Sequence, residues 1–195
     1  MNLENCDLFL DLPSQSINKI IEKIPYKIRK YNKNDFIYTP YNYSRELGII
    51  LKGSVSIYKD LYNGDKFLLN KLEENSILGV DYIYEKTSIL PGEAQATKPT
   101  EILFLSQESL DKLFILDEKI LKNFFKIMSS QILFLNNKLE IIALPSIKDR
   151  LEFLIDRKIY SQKTLKTVNK TQLCYELGTS RSSLYRAINE LNNKI

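Results

Sequence analysis

The stretch Val168–Leu191, VNKTQLCYELGTSRSSLYRAINEL, gathers the side chains of this sequence best suited to grip a partner. Gly178 is its pivot, because glycine takes a positive φ without a Cβ clash and so ends helices. The residues before it, Thr171 to Leu177, read as two helical turns with Leu173 and Leu177 inward and Asn169 as N-cap. Ser180 then caps a second helix that turns Leu184, Ile188 and Leu191 toward a core. That leaves Arg181, Ser182, Tyr185 and Arg186 on the outer face. A guanidinium can donate two parallel bonds to guanine O6 and N7, worth about 1–3 kcal/mol of discrimination. The hydroxyls of Thr179, Ser180 and Ser183, with the amides of a helix N-terminus, suit phosphate oxygens. The set is therefore one for reading the major groove of double-stranded DNA. The competing reading is a surface helical hairpin that makes protein contacts.

Other chemistries lack their residues. The chain has no histidine, so a zinc site, a Ser–His–Asp triad and a Cys–His dyad are all excluded. A cupin-type metalloenzyme, whose site rests on histidines, goes with them. Cys6 and Cys174 are the only cysteines and lie far apart in sequence, so they read as bystanders rather than a disulfide. No catalytic residue, metal ligand or cofactor is expected. Charge supports the DNA reading: residues 145–195 hold ten Lys/Arg against five Asp/Glu, whereas residues 1–144 hold 18 against 19. A basic module thus follows a neutral one. Hydrophobic residues make up 44%, enough for buried cores. No apolar run approaches the roughly 18 residues of a membrane span. Met1–Leu10 carries Glu4 and Asp7 and no basic flank, unlike a signal peptide. The expected location is the cytoplasm, away from membranes.

The elements that must position the helical pair change character along the chain. Leu8–Ile24 has a helical period and ends at Pro25. Short apolar runs follow at Phe36–Tyr38, Leu47–Leu51, Val55–Tyr58, Phe67–Leu69, Ile77–Leu78 and Ile102–Leu105, with Asn63-Gly64 as a hairpin signal. Many short strands at this spacing indicate a sandwich or barrel. Glu108–Leu116 reads as a short helix. Asp117–Leu144 reads as one long amphipathic helix, with Leu121, Phe124, Met128, Leu135, Leu139 and Ile142 near heptad spacing and Gln131 in the remaining slot. Ile120, Ile127, Phe134 and Ile141 form a second row. So wide an apolar face can cover a β-core and a partner helix. Pro145 ends it, Ser146–Tyr160 restarts a helix, and Ser161–Thr167 is a polar loop.

With these residues in place, the chain resembles the CRP/FNR family, typified by the cyclic-AMP receptor protein, over nearly its whole length. LGIILKGSVSIYKD at Leu47–Asp60 resembles the family's strand-turn-strand around Lys-Gly-Ser. ENSILG at Glu74–Gly79 resembles the segment entering its ligand pocket, and Gly178–Arg181 with Arg186 resembles its recognition helix. The resemblance implies an α+β protein: residues 1–116 as an antiparallel β jelly-roll sensor domain with an N-terminal helix, 117–144 as a long dimerisation helix, and 145–195 as a helix-turn-helix domain. It implies a bacterial transcription regulator, a homodimer on a near-palindromic site, with Arg181 and Arg186 on bases or adjacent phosphates and Ser182 at a base-reading position. RNA polymerase would be a further partner of an activator. The resemblance also implies a β-hairpin wing after the recognition helix, and with Ile195 ending the sequence directly after that helix the wing is expected to be missing or truncated.

The resemblance breaks at the effector pocket of Gly79, Val80 and Asp81. Cyclic-nucleotide-binding members hold ribose with a glycine and an acid, and phosphate with an arginine beside a small hydroxyl residue. Here Val80 follows Gly79, and between Asp81 and Pro99 the only basic residues are Lys86 and Lys98. A buried phosphate without a guanidinium fork is poorly compensated, and Glu93 would repel it. Cyclic AMP is therefore not the expected ligand. Two cysteines do not hold an iron–sulfur cluster. Another small ligand, a protein partner, a thiol redox effect, or no effector remain. The alternative function is a jelly-roll module that binds a small molecule or a protein without DNA.

Overall fold

The computed structural model describes residues 3–60, 66–86, 92–160 and 167–192. Chain contacts divide it into two compact units, Met1–Ser130 and Gln131–Ile195, the division falling inside one long helix.

The first unit opens on a 3₁₀ turn, Asp7–Phe9, and helix α1, Ser14–Ile21. The single helix expected over Leu8–Ile24 does not form. Asp11 takes φ +63°, and Pro13 has no N–H for the preceding turn and disfavours helical backbone before it. The apolar period persists across the break, because Leu8, Phe9, Ile17 and Ile21 all enter one core.

Among the described residues eight strands follow: β1 Lys27–Tyr31, β2 Phe36–Tyr38, β3 Glu46–Lys52, β4 Ser54–Asp60, β5 Lys66–Glu73, β6 Ile77–Leu78, β7 Glu93–Ala96 and β8 Thr100–Ser106. They form two antiparallel four-stranded sheets, ordered β1-β8-β3-β6 and β2-β7-β4-β5, the alternation of a jelly roll. Ile50, Leu78, Ile102 and Phe104 of the first sheet share a core with Val55 and Ala94 of the second. β4 and β5 pair in antiparallel register from Ser54↔Glu73 to Asp60↔Lys66. The Asn63-Gly64 turn expected between them lies outside the described residues.

Helix α2, Gln107–Leu116, starts at Ser106, whose hydroxyl accepts from the Ser109 amide at 3.2 Å. Helix α3, Glu118–Ile142, matches the long amphipathic segment. Its facing differs from the expected seam. Ile120 and Phe124 are buried in the first unit's core, and Asn123 Nδ2 donates to Leu8 O at 3.3 Å and Leu10 O at 2.8 Å. The exposed apolar row is Phe125 and Ile132, with Leu139 of the expected seam, seven residues apart and 58%, 55% and 59% exposed. Half-buried Met128, Leu135 and Ile142 interleave with it at heptad steps. Phe124 thus belongs to the β-domain core, and Phe125 takes its place in the row.

The second unit contains the end of α3 and helices α4 Ile147–Asp156, α5 Lys170–Leu177 and α6 Arg181–Asn192. Ser146 caps α4 in a reciprocal box with Asp149: the Asp149 amide donates to Ser146 Oγ at 3.1 Å, and the Ser146 amide to Asp149 Oδ2 at 3.2 Å. Leu151 and Leu154 of α4 pack with Leu173, Leu177, Leu184 and Ala187. Most of the loop expected at Ser161–Thr167 lies outside the described residues.

Candidate nucleic-acid interface

α5 and α6 are joined by three residues. Gly178 takes φ +61°, the left-handed conformation that lets the chain reverse, and the Thr179 amide donates to Cys174 O at 2.9 Å to close the end of α5. Ser180 stands at the N-cap of α6: the Ser183 amide donates to Ser180 Oγ at 3.2 Å, and the Leu184 amide to Ser180 O at 3.0 Å. The turn chemistry expected from Gly178 and Ser180 is thereby found in the backbone. Leu184 and Ala187 are fully covered, with Ile188 and Leu191 partly buried beside them.

The opposite face is solvent-facing. Ser180, Arg181, Ser182, Tyr185 and Arg186 are exposed, while Thr179 and Ser183 are half-buried. Four of these side chains, Arg181, Ser182, Tyr185 and Arg186, project within the first two turns of α6. A concavity of about 220 Å³ beside α6 is lined by Ser146, Lys148, Ser183, Arg186 and Glu190, with Ile147 and Ala187 at its apolar side. Lys148, which pairs with Glu152 at 3.9 Å, lines the same concavity as Arg186, a neighbour the linear pattern does not reveal. Cys174 is buried, and burial pushes its thiol upward against the opposing charge of Arg181.

Arg150, also missed from sequence, is buried in part and turned inward. It donates from Nε to Leu144 O at 3.1 Å, and from its terminal nitrogens to Leu177 O at 2.7 Å and Ile142 O at 2.9 Å. Two of its partners, Ile142 and Leu177, are the last residues of α3 and α5. Nearby in the second unit, Tyr160 donates its hydroxyl to both carboxylate oxygens of Glu176, at 3.0 and 2.8 Å. Lys138 on α3 is 93% covered, and burial lowers its ammonium to about 8, with the charge of Glu176 opposing.

In the first unit, Gly79 takes φ +82°, and a Cβ there would lie 2.7 Å from Glu46 O. The chain therefore needs glycine to pass this strand. Val80 packs against the core, and Asp81 is exposed with its carboxyl raised by partial desolvation. Tyr82 stands edge-on to Tyr38 at 6.3 Å between ring centres. Tyr84 donates to Asp111 of α2 at 2.6 Å and meets the Phe124 ring of α3 at 6.0 Å. Glu93 is buried and ion-paired to Lys66. Its carboxylate, expected to repel a phosphate, is already neutralised by a lysine two strands away in the same sheet. Cys6 is fully buried, its thiol pushed up to about 11 by burial. Among the described residues no group of three or more Cys, Asp or Glu could hold a metal, and no helix is long and apolar enough to cross a membrane.

Residues 28–117, the jelly roll with α2, match the cyclic nucleotide-binding domain family. No curated protein sequence matches the chain. Among solved structures, the Thermus thermophilus catabolite activator protein aligns over 96% of this chain and 87% of its own, with 17% identity and a TM-score of 0.64. The c-di-GMP-responsive global regulator CLP of Xanthomonas campestris aligns over 93% of both chains, with 18% identity and a TM-score of 0.69. FixK2 of Bradyrhizobium japonicum aligns over 88% of this chain and 86% of its own, with 15% identity and a TM-score of 0.60. The N-terminal module thus resembles the cyclic nucleotide-binding domain family. With its long helix and C-terminal helices, the chain has the fold of the CRP/FNR transcription regulators.

Proposed function

We propose that this chain is a homodimeric regulator of transcription that reads a near-palindromic DNA site with α6. One observation carries the reading: α6 buries Leu184 and Ala187 and turns Arg181, Ser182, Tyr185 and Arg186 to solvent, behind a three-residue Gly178–Ser180 turn. An exposed helix of this kind, entered through a tight glycine turn, fits the major groove with its N-terminal side chains at base edges. In this reading Lys148 and the α6 N-terminus would take the flanking phosphate oxygens.

The second copy is argued from α3. Phe125, Ile132 and Leu139 are more than half exposed in one chain and repeat every seven residues. A heptad row of large apolar side chains in water is costly, and a second α3 covers it knob into hole. Two copies related by a two-fold axis then present two α6 helices to two half-sites.

The jelly roll serves as the sensor, and cyclic AMP is not its effector. The arginine fork for a cyclic phosphate is lacking, and Lys66 is already engaged by Glu93. The protein works in the cytoplasm as a binding protein, not an enzyme.

Selection of binding sites from random duplex DNA, followed by fluorescence anisotropy, tests this reading. The wild type is expected to enrich a near-palindrome whose affinity falls steeply and linearly in log salt as counterions are released. The Arg181→Ala/Arg186→Ala variant should lose that site, and cyclic AMP should leave affinity unchanged. A monomer without DNA affinity at low salt refutes the proposal and favours a ligand-binding module.

A further inference from the structure

The ends of α3 and α5 meet on one side chain. Carbonyls in the last turn of a helix have no intrahelical N–H partner and carry the negative end of its dipole. Arg150 supplies donors to both ends at once, through Ile142 O and Leu144 O at α3 and Leu177 O at α5. All of these atoms lie within the second unit. Leu177 is followed directly by the Gly178 turn, and α6 packs through Leu184 and Ala187 against the same core. A planar guanidinium with five fixed donors holds three acceptors in one geometry, which a flexible point-charge ammonium does not.

The guanidinium faces backbone, so it reads no base. What it fixes is the placement of the α5–α6 pair against the last turn of α3. We infer that Arg150 is a positioning residue that sets which half-site spacing the dimer accepts. The inference rests on the proposed DNA reading, in which α3 forms the two-fold seam and α6 the reading helix. Half-site spacing is then the projection of the seam-to-reader distance onto DNA. One base pair moves the second half-site by about 3.4 Å and about 35° around the duplex, enough to take its base edges out of reach of a rigid reader.

The test uses full-length wild type and Arg150→Lys on three duplexes: the selected operator, and versions with one base pair added to or removed from its centre. An isolated half-site serves as a fourth probe. Wild type should lose about thirtyfold or more in affinity on either spacing change, the equivalent of two or more base contacts. Arg150→Lys should bind the operator more weakly and accept all three spacings within about threefold. Its half-site affinity and its dependence on log salt should match wild type, because no phosphate contact is removed. Arg150→Gln, which keeps a donor for one carbonyl, gives the same readout if the lysine variant does not fold. A variant that binds weakly yet keeps the wild-type spacing penalty overturns the inference and leaves Arg150 a stabilising residue only. A changed salt slope overturns it in favour of direct phosphate contact. Failure of wild type to bind any duplex overturns the DNA reading itself, and this inference with it.

Discussion

Lys138 should make the stability of the chain rise with alkaline pH. The side chain is 93% covered, and its ammonium is lowered from 10.5 to about 8, mainly by burial. Among the groups facing it, Glu176 pulls the other way, and Tyr160 already donates to that carboxylate. In the unfolded chain Lys138 keeps its proton to its ordinary value. Between about pH 8 and 10.5 the unfolded state therefore binds more protons, and stability increases with pH. Below pH 8 the cost of the buried charge is present in full. Integrating over the two values gives a gain of about 2.5 kcal/mol between pH 7 and 10. Lys138→Met removes the titrating group while keeping the bulk of the stem. Urea unfolding of both proteins, followed by far-ultraviolet circular dichroism at pH 7, 8, 9 and 10, isolates the effect in their difference. Wild type should gain on the variant by that amount, most of it by pH 9.5. Carbon-detected titration of the lysine side chains should find one group with a midpoint near 8, lost in the variant. Parallel stability curves, with every lysine titrating above pH 9.5, would refute the reasoning.

Three shorter predictions concern other elements. Ile132→Glu combined with Phe125→Glu places charge in the exposed heptad row; analytical ultracentrifugation should record a monomer, with the circular dichroism spectrum unchanged. Gly79→Ala introduces a Cβ 2.7 Å from Glu46 O at φ +82°, and should cost about 1–3 kcal/mol in denaturant titration. Ser146→Ala removes an N-cap that accepts from the Asp149 amide, and should lower stability by about 1 kcal/mol in the same assay, without altering the base preference of α6.

The parts of the molecule legible in the sequence are those whose determinants are local. Gly178 and Ser180 act on neighbours within four residues, so a glycine turn and a serine cap are visible in the string, and the structure holds both. The strands β2, β3, β4, β5, β6 and β8 were marked by aliphatic or aromatic runs. β1 and β7 carry no such run. In β1, KIRKY, the lysines and arginine lie along an edge of the sheet, and even Ile28 is exposed. In β7, EAQA, the residues favour helices, yet Ala94 and Ala96 are fully buried in a strand that lies between β2 and β4. Intrinsic propensity yields there to tertiary packing.

Helix phase is the subtler case. Phe124 and Phe125 are adjacent, equally apolar, and both compatible with a heptad. Only the β-domain decides between them, since Ile120, Phe124 and the Asn123 amide meet Leu8 and its neighbours. That contact rotates the exposed row onto Phe125, Ile132 and Leu139. The polar groups that matter most inside the second unit were hidden for a related reason. Arg150 answers to the carbonyls of Ile142, Leu144 and Leu177, and a carbonyl is the same atom in every residue. No residue type in the sequence can announce such a partner. A basic residue on an otherwise amphipathic helix therefore reads as surface charge until the backbone it caps is in view. The same holds at Glu93: as an isolated letter it is a repulsive charge beside a ligand pocket, and in the fold it is buried and ion-paired with the half-exposed Lys66.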